Sequence, residues 1–163
     1  MNKLGIFLCF LLAISYTQSE VIDGIDVNEL YDKFTDIAKG LADNTEYKCS
    51  NQLINNKNKV LPKVEEVVRN LKDTNALPNA LAGFALQLSL IEGFISDCNI
   101  ASVVNIILTI TKAEGIKQMG QNMINNATEL EGLFKDFTAA TTEEGKLIVI
   151  GKIIRKITGI TFH

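Results

Sequence analysis

The sequence offers few residues that could carry out acid, base or nucleophilic chemistry. Its single histidine, His163, is the last residue, and the ends of protein chains commonly fray. A Ser-His-Asp or Cys-His site is therefore not expected, because both need a positioned imidazole as the base. The CxxC pair, the HExxH helix and the EF-hand loop, which typically bind metal ions, are missing from the sequence. We predict a protein that is not an enzyme and has no catalytic residue, metal site or cofactor.

One carboxylate lies in unusual surroundings. Between Thr74 and Thr111 the chain has no lysine or arginine, and its acids there are Glu92 and Asp97. Glu92 and Gln87 are therefore candidate polar groups of an apolar cavity between helices, where they would anchor a ligand or donate a proton. The alternative, which we prefer, places Glu92 at the protein surface near the end of a helix.

The number of cysteines predicts one cross-link. The cysteines are Cys9, Cys49 and Cys98, and the first lies in a segment that we expect to be removed. In an oxidising compartment the other two favour one disulfide, and two free buried thiols are the alternative. A disulfide that closes a loop of roughly 50 residues stabilises a fold by about 4 kcal/mol in the chain-entropy model. Asn126, in the only N-x-S/T sequence, is the candidate glycosylation site.

The start of the chain has the pattern of a secretory signal peptide. A lysine precedes an apolar run of eleven residues, 4–14, and small residues then allow cleavage after Ser15 or Ser19. We prefer Ser19, which gives a signal peptide over 1–19 and a helical domain over 20–163. An uncleaved anchor is the alternative, but about 20 apolar residues are needed to span a bilayer. We therefore expect a protein that is secreted or held in the lumen of the secretory pathway.

The charge balance argues against one class of partner. The chain has 16 basic and 19 acidic side chains, which gives a formal net charge of −3. Nucleic-acid binding normally needs a basic surface that neutralises phosphates. We therefore expect no nucleic-acid partner.

The last segment of the chain is locally basic. Lys152, Arg155 and Lys156 follow Glu144 with no later acid, and isoleucines lie between them. This pattern makes the three cations candidates for contact with an anionic membrane. The alternative, which we favour, is a terminal helix that buries its isoleucines and whose cations complement the helix dipole.

The spacing of apolar residues indicates helices along most of the chain. The segment from Cys49 is a candidate for a further short helix, which is not counted among the five to six helices of the predicted bundle. We predict a single-domain, all-α bundle with one disulfide. The helical segments are 27–41, 60–71, 77–96, 99 to about 121, one beginning near Thr128 and one beginning near Thr141.

The uncharged segment from 74 to 111 is predicted to be the buried centre of the bundle. Small residues there, including Ala80, Ala82 and Gly83, would let two helix backbones approach closely. The predicted core is drawn from several helices. Its members are Phe34, Val64, Val68, Leu86, Leu90, Phe94, Val103, Ile107, Phe134 and Ile154.

Binding is the function that these patterns favour. We predict a secreted bundle that binds either a protein partner or an apolar, lipid-like ligand held between its helices. The alternative is a membrane-active protein that enters or coats lipid with the apolar 77–111 hairpin and the basic last helix. An enzyme that works without histidine is the third hypothesis.

Overall fold

The structure is a computed structural model that describes residues 26–70, 73–110 and 112–163. The predicted signal peptide, 1–19, lies outside the described residues. Within these ranges the named elements are all helices, which confirms the all-α prediction. In chain order they are α1 (Val27–Leu41), α2 (Lys48–Asn55), α3 (Lys57–Arg69), α4 (Leu77–Ser89), α5 (Phe94–Asp97), α6 (Ile100–Ile110), α7 (Ala113–Asn125), α8 (Ala127–Ala139) and α9 (Glu143–Thr158).

The described residues form nine helices instead of the five to six that we predicted, because long predicted helices are divided. The helix predicted over 77–96 is interrupted at Gly93, which has the left-handed conformation (φ 76°) that glycine adopts without steric cost. The helix predicted from 99 is interrupted at Lys112, whose backbone is extended (φ −107°, ψ 159°). A turn at Asn126 then separates α7 from α8.

The start of α1 is fixed by a side-chain cap. The Asp26 carboxylate accepts hydrogen bonds from the backbone N–H groups of Asn28 and Glu29, at 2.9 and 3.2 Å. These N–H groups have no partner within the helix itself, so the cap stabilises the first turn. The buried face of α1 then packs into one core with α2, α3, α4 and the end of the chain. Its buried apolar residues are Tyr31, Phe34, Ile37, Ala38 and Leu41.

Helices α1 and α9 cross with their backbones in contact. A Cβ atom added at Gly40 would lie 2.8 Å from the Cα of Gly151, and nearer still to the carbonyl oxygen of Ile148. The crossing therefore needs a residue without a side chain on each helix. At Gly83 of α4 no such close approach of backbones occurs, because an added Cβ would lie 3.8 Å from Lys63 Nζ, an ordinary contact.

Ion pairs link the same two helices at the surface. Lys39 Nζ lies 2.6 Å from Glu144 Oε1, and this hydrogen bond lowers the pKa of the Glu144 carboxyl and raises the pKa of Lys39. Lys33 Nζ lies 2.6 Å from Glu29 and 2.9 Å from Glu143, and these hydrogen bonds raise its pKa to about 12. Exposed ion pairs of this kind contribute little to stability. Their main effect is to link the first turn of α9 to α1.

The predicted core is correct in part. Leu86, Leu90 and Phe134 were assigned to it wrongly, since they are 63%, 69% and 57% exposed. In α4 the buried face carries Phe84 and Leu88 and packs against α3, so positions 86 and 90 project away from it. The side chain of the predicted member Ile107 lies outside the described atoms. The remaining members lie in the core or pack against it: Phe34, Val64, Val68, Phe94, Val103 and Ile154.

The last residues of the chain are packed into the protein and are not frayed. Gly159 ends α9 in the left-handed conformation (φ 77°), and the side chains of Ile160 and Phe162 beyond it are 1% and 2% exposed. The Phe162 N–H donates to the Leu41 carbonyl at 3.0 Å, and the Asp43 N–H donates to the Phe162 carbonyl at 3.0 Å. Ile160 and Phe162 therefore complete the core beside the end of α1.

Candidate functional site

The two cysteines are brought together as predicted. Cys49 in α2 and Cys98 after α5 are buried, their Cα atoms are 4.6 Å apart, and their sulfur atoms lie at disulfide-bonding distance. The end of the chain covers this link. The Cys49 N–H donates to the His163 carbonyl at 3.1 Å, and the His163 N–H donates to the Asp97 carbonyl at 2.8 Å. The cysteine pair is therefore part of the framework that holds residues 160–163.

His163 lies beside a carboxylate, although its place in the sequence gave no reason to expect a partner. Its Nδ1 is 3.0 Å from Asp43 Oδ2, and both side chains are exposed. A catalytic triad would add a hydroxyl or thiol bonded to the second ring nitrogen. Within the described part of the chain no such group is hydrogen-bonded to the ring, so the pair fastens the terminal segment to the loop after α1.

Glu92 lies at the protein surface, and the assignment of Gln87 to an apolar cavity stays a prediction. Glu92 is exposed in the turn between α4 and α5, where its backbone carbonyl accepts a hydrogen bond from Gln52 Nε2 at 3.0 Å. The depression that it lines together with Ser96 is open to solvent. Gln87 is partly exposed on α4. Glu92 thus has the surface position that we preferred as the alternative.

An apolar cavity in the core is small. It is lined by residues of α1 to α4, including Tyr31, Phe34 and Phe84, and its volume is about 10 Å³. Such a volume holds about one water molecule, whereas small-molecule sites measure about 300–1,000 Å³. The Tyr31 hydroxyl donates to the Leu53 carbonyl at 2.8 Å, and burial, aided by the charge of Asp32, raises the pKa of this hydroxyl. This cavity has no room for a lipid-like ligand.

Asn126 lies at the junction of α7 and α8. Its side chain is partly buried, and its Nδ2 donates to the Asn122 carbonyl at 2.8 Å. Glycosylation there stays a prediction. A glycan attached to Nδ2 would have to be accommodated beside this hydrogen bond.

The three candidate cations of α9 are partly buried. Arg155 Nη1 donates to the Ala42 carbonyl, and Lys156 forms an ion pair with Glu129 of α8. Ile154 packs against the core, and Lys152 is partly buried. Two of the three candidate membrane-contact cations therefore already have partners within the chain.

Helix α4 presents leucines to solvent, and we call Ala82, Leu86 and Leu90 the α4 leucine face. These residues follow one another at a spacing of four, so they share one side of the helix, and all three are exposed. The surrounding sequence from 74 to 111 lacks lysine and arginine. The α4 leucine face is thus an exposed apolar surface in a part of the sequence without lysine or arginine.

Helix α7 also turns its apolar side outward, and we call Ile116, Gly120, Met123 and Ile124 the α7 apolar face. The side chains of Ile116, Met123 and Ile124 are 66%, 49% and 77% exposed, and a Cβ at Gly120 would meet no atom within 4 Å. The side of α7 that meets the protein carries the buried Gly115 and the partly buried Asn122. An ordinary surface helix buries its apolar residues, so α7 has the reverse orientation.

Polar contacts hold α7 in this orientation. Gly115 is buried, and Asn122 Nδ2 donates to the Ile157 carbonyl of α9 at 3.0 Å. Sequence reasoning placed 99 to about 121 in the buried centre and so missed the α7 apolar face. Nothing in the sequence marks this orientation, because asparagine and glutamine opposite the isoleucines are the usual pattern of a helix that buries its isoleucines.

The described residues contain neither a membrane-spanning helix nor a group of side chains arranged to bind a metal ion. No helix of that part of the chain is both long and apolar enough to cross a bilayer. In the same ranges, no group of three or more histidine, cysteine or acidic side chains is arranged to hold a metal ion. Comparison of the chain with protein-family models, with curated proteins and with solved structures finds no match.

Proposed function

We propose that the protein is secreted, is not an enzyme, and acts by binding another protein through the α4 leucine face. The observation that carries this proposal is the exposure of Leu86 and Leu90, at 63% and 69%, one helical turn apart. Burial of apolar surface is favourable by about 25 cal/mol per Å². Exposed apolar patches therefore commonly mark interaction sites.

The chemistry around these leucines favours a protein as the partner. The centres of protein interfaces are poor in charged residues, and the α4 leucine face lies in a segment without lysine or arginine. An anionic membrane is attracted by cations, which this face lacks. A small apolar ligand needs an enclosed site, and the core cavity of about 10 Å³ is too small for one.

Secretion is supported by two features of different kinds. The signal-like pattern of residues 1–19 directs a chain into the secretory pathway. The buried pair Cys49 and Cys98 lies at disulfide-bonding distance, and disulfides persist in oxidising compartments.

The proposal is tested with a double variant of the face, Leu86→Gln with Leu90→Gln. Glutamine keeps the helix propensity of leucine and removes its apolar surface. The matched control is Ile54→Gln with Phe134→Gln, which changes two other exposed apolar residues, at 45% and 57% exposure. The parent and both variants are purified from the secreted fluid of the source, and bound molecules are identified by native mass spectrometry.

We expect one protein to accompany the parent and the control, and its recovery with the Leu86/Leu90 variant to fall at least about tenfold. Full burial of a leucine side chain is worth about 1.5–3 kcal/mol, and about 1.4 kcal/mol is a factor of ten in affinity. Circular dichroism checks that both variants are folded. A bound lipid at one copy per chain, retained by all three proteins, would contradict the proposal. So would a protein partner whose binding is unaffected by the two glutamines.

A further inference from the structure

We propose that α7 binds the surface of an anionic membrane and lies in the interface with its apolar face toward the acyl chains. This site is separate from the α4 leucine face and goes beyond the function proposed above.

The orientation of α7 is fixed by its contacts with the rest of the protein. Gly115 and Asn122 lie on the side that meets the protein, with the Asn122 amide bonded to the Ile157 carbonyl of α9. Ile116 and Ile124 therefore point outward, at 66% and 77% exposure. A helix that lies on a membrane needs such an arrangement, with its apolar side free and its polar side supported elsewhere.

The charges of α7 complement an anionic surface. Lys112 is exposed at the N-terminal end of the helix, and exposed Lys117 lies about 20° from Ile124 around the helix axis, at one border of the apolar face. The one acid of α7, Glu114, lies about 160° from Ile116, on the far side. Lysines at the border of an apolar face bury their methylene chains and keep their ammonium groups at the headgroups.

These charges argue against a second copy of the chain as the partner. A two-fold interface brings the same surface to both sides, so Lys112 and Lys117 would meet a face whose charges are also lysines.

A membrane surface, in contrast, fits both the shape and the charge of α7. A bilayer interface accepts a convex helix without a complementary groove, and its anionic headgroups attract lysines. Because no helix of the described residues is able to cross a bilayer, α7 would lie on the membrane and not span it. The basic residues of α9 are not needed, since Arg155 and Lys156 have partners within the protein.

The first experiment measures binding to vesicles by co-sedimentation. The parent is mixed with phosphatidylcholine vesicles that contain phosphatidylserine, and with pure phosphatidylcholine vesicles, at low and high salt. We expect binding to the first kind that weakens with salt. The variant Lys112→Gln with Lys117→Gln should bind about 25-fold less tightly, since each lysine contributes about fivefold near an anionic surface. The variant Ile116→Gln with Ile124→Gln should lose at least about tenfold.

The control separates this proposal from the function proposed above. The variant Leu86→Gln with Leu90→Gln should bind vesicles like the parent, whereas the α7 variants should keep any protein partner of the α4 leucine face. Loss of the partner alone therefore reports on one proposal, and loss of vesicle binding alone reports on the other.

A second experiment locates the contact directly. The chain has no tryptophan, so Ile124→Trp introduces a single fluorescent reporter on the α7 apolar face, and Leu90→Trp does so on the α4 leucine face. We expect a blue shift of the emission from position 124 and none from position 90 when anionic vesicles are added. No shift at position 124, or a shift at position 90 alone, would overturn the proposal. It would equally be overturned by a dimer in sedimentation velocity that Ile116→Gln with Ile124→Gln dissociates.

Discussion

The substitution Gly40→Ala tests the contact between the first and last helices. The new Cβ would lie 2.8 Å from the Cα of Gly151 and in collision with the carbonyl oxygen of Ile148. Both neighbours are backbone atoms, so no side chain is able to rotate away. Accommodation requires α1 and α9 to move apart, which loosens the packing along both helices.

Two opposing effects set the size of the loss. Overpacking of a core costs about 1–3 kcal/mol, and a clash with rigid backbone belongs at the upper end of that range. Replacement of glycine by alanine inside a helix gives back about 0.5–1 kcal/mol. We therefore expect Gly40→Ala to lower the free energy of unfolding by about 2 kcal/mol. For a domain of this size, that corresponds to a fall in Tm of roughly 4–8 °C.

The matched control is Gly132→Ala in α8, where an added Cβ meets no atom within 4 Å. This change keeps the propensity gain without the clash, so we expect it to raise the free energy of unfolding by about 0.5–1 kcal/mol. Urea unfolding followed by circular dichroism measures both variants and the parent. If Gly40→Ala were as stable as Gly132→Ala, the two helices would not cross at these glycines, and the reasoning would fail.

Four further predictions concern single side chains. Phe162→Ala should cost about 3–5 kcal/mol in urea unfolding, because this side chain is 2% exposed in the core; an unchanged midpoint would mean that the end of the chain is not packed. Leu90→Ala, at 69% exposure, should change stability by less than about 0.5 kcal/mol, and a larger loss would restore Leu90 to the core. Arg155→Gln should cost about 1.5–3 kcal/mol because it removes a charged hydrogen bond to a backbone carbonyl, whereas Lys152→Gln should be near neutral by the same measurement. Burial raises the pKa of the Tyr31 hydroxyl above its ordinary value of 10.0, so its contribution is complete below pH 10.0 and is lost as pH rises through the higher folded pKa. Tyr31→Phe should therefore make stability fall less steeply above pH 10.0, and an equally steep fall would show that Tyr31 is not the group responsible.

The features predicted well from sequence are those set by local spacing or by counting. The helix α1 follows from apolar residues that recur on one face, such as Phe34 and Leu41, after a capping Asp26. The pairing of Cys49 with Cys98 follows from an even number of cysteines once Cys9 is set aside. Neither inference needs knowledge of which helices are neighbours.

The features that sequence reasoning missed depend on such knowledge. Leu86 has the same chemistry as Leu88, and only the position of α3 decides which of the two is buried. Nothing in the sequence around Gly40 or Gly151 indicates that these two glycines are in contact. The exposure of Ile116 in α7 was missed for the same reason. It depends on which side of α7 packs against α9, and that is set by contacts such as the hydrogen bond from Asn122 to Ile157.

The contact between α1 and α9 has a consequence for the time course of synthesis. Arg155 and Ala42, which are hydrogen-bonded, are separated by 113 residues. At about 5–20 residues per second, roughly 6–23 s pass between the synthesis of these two residues. During that interval the apolar face of α1 lacks its contacts with α9. Cys49 and Cys98 are only 49 residues apart, and both are synthesised before α9. The cross-link is thus available to restrain the nascent chain before α9 exists to close the core.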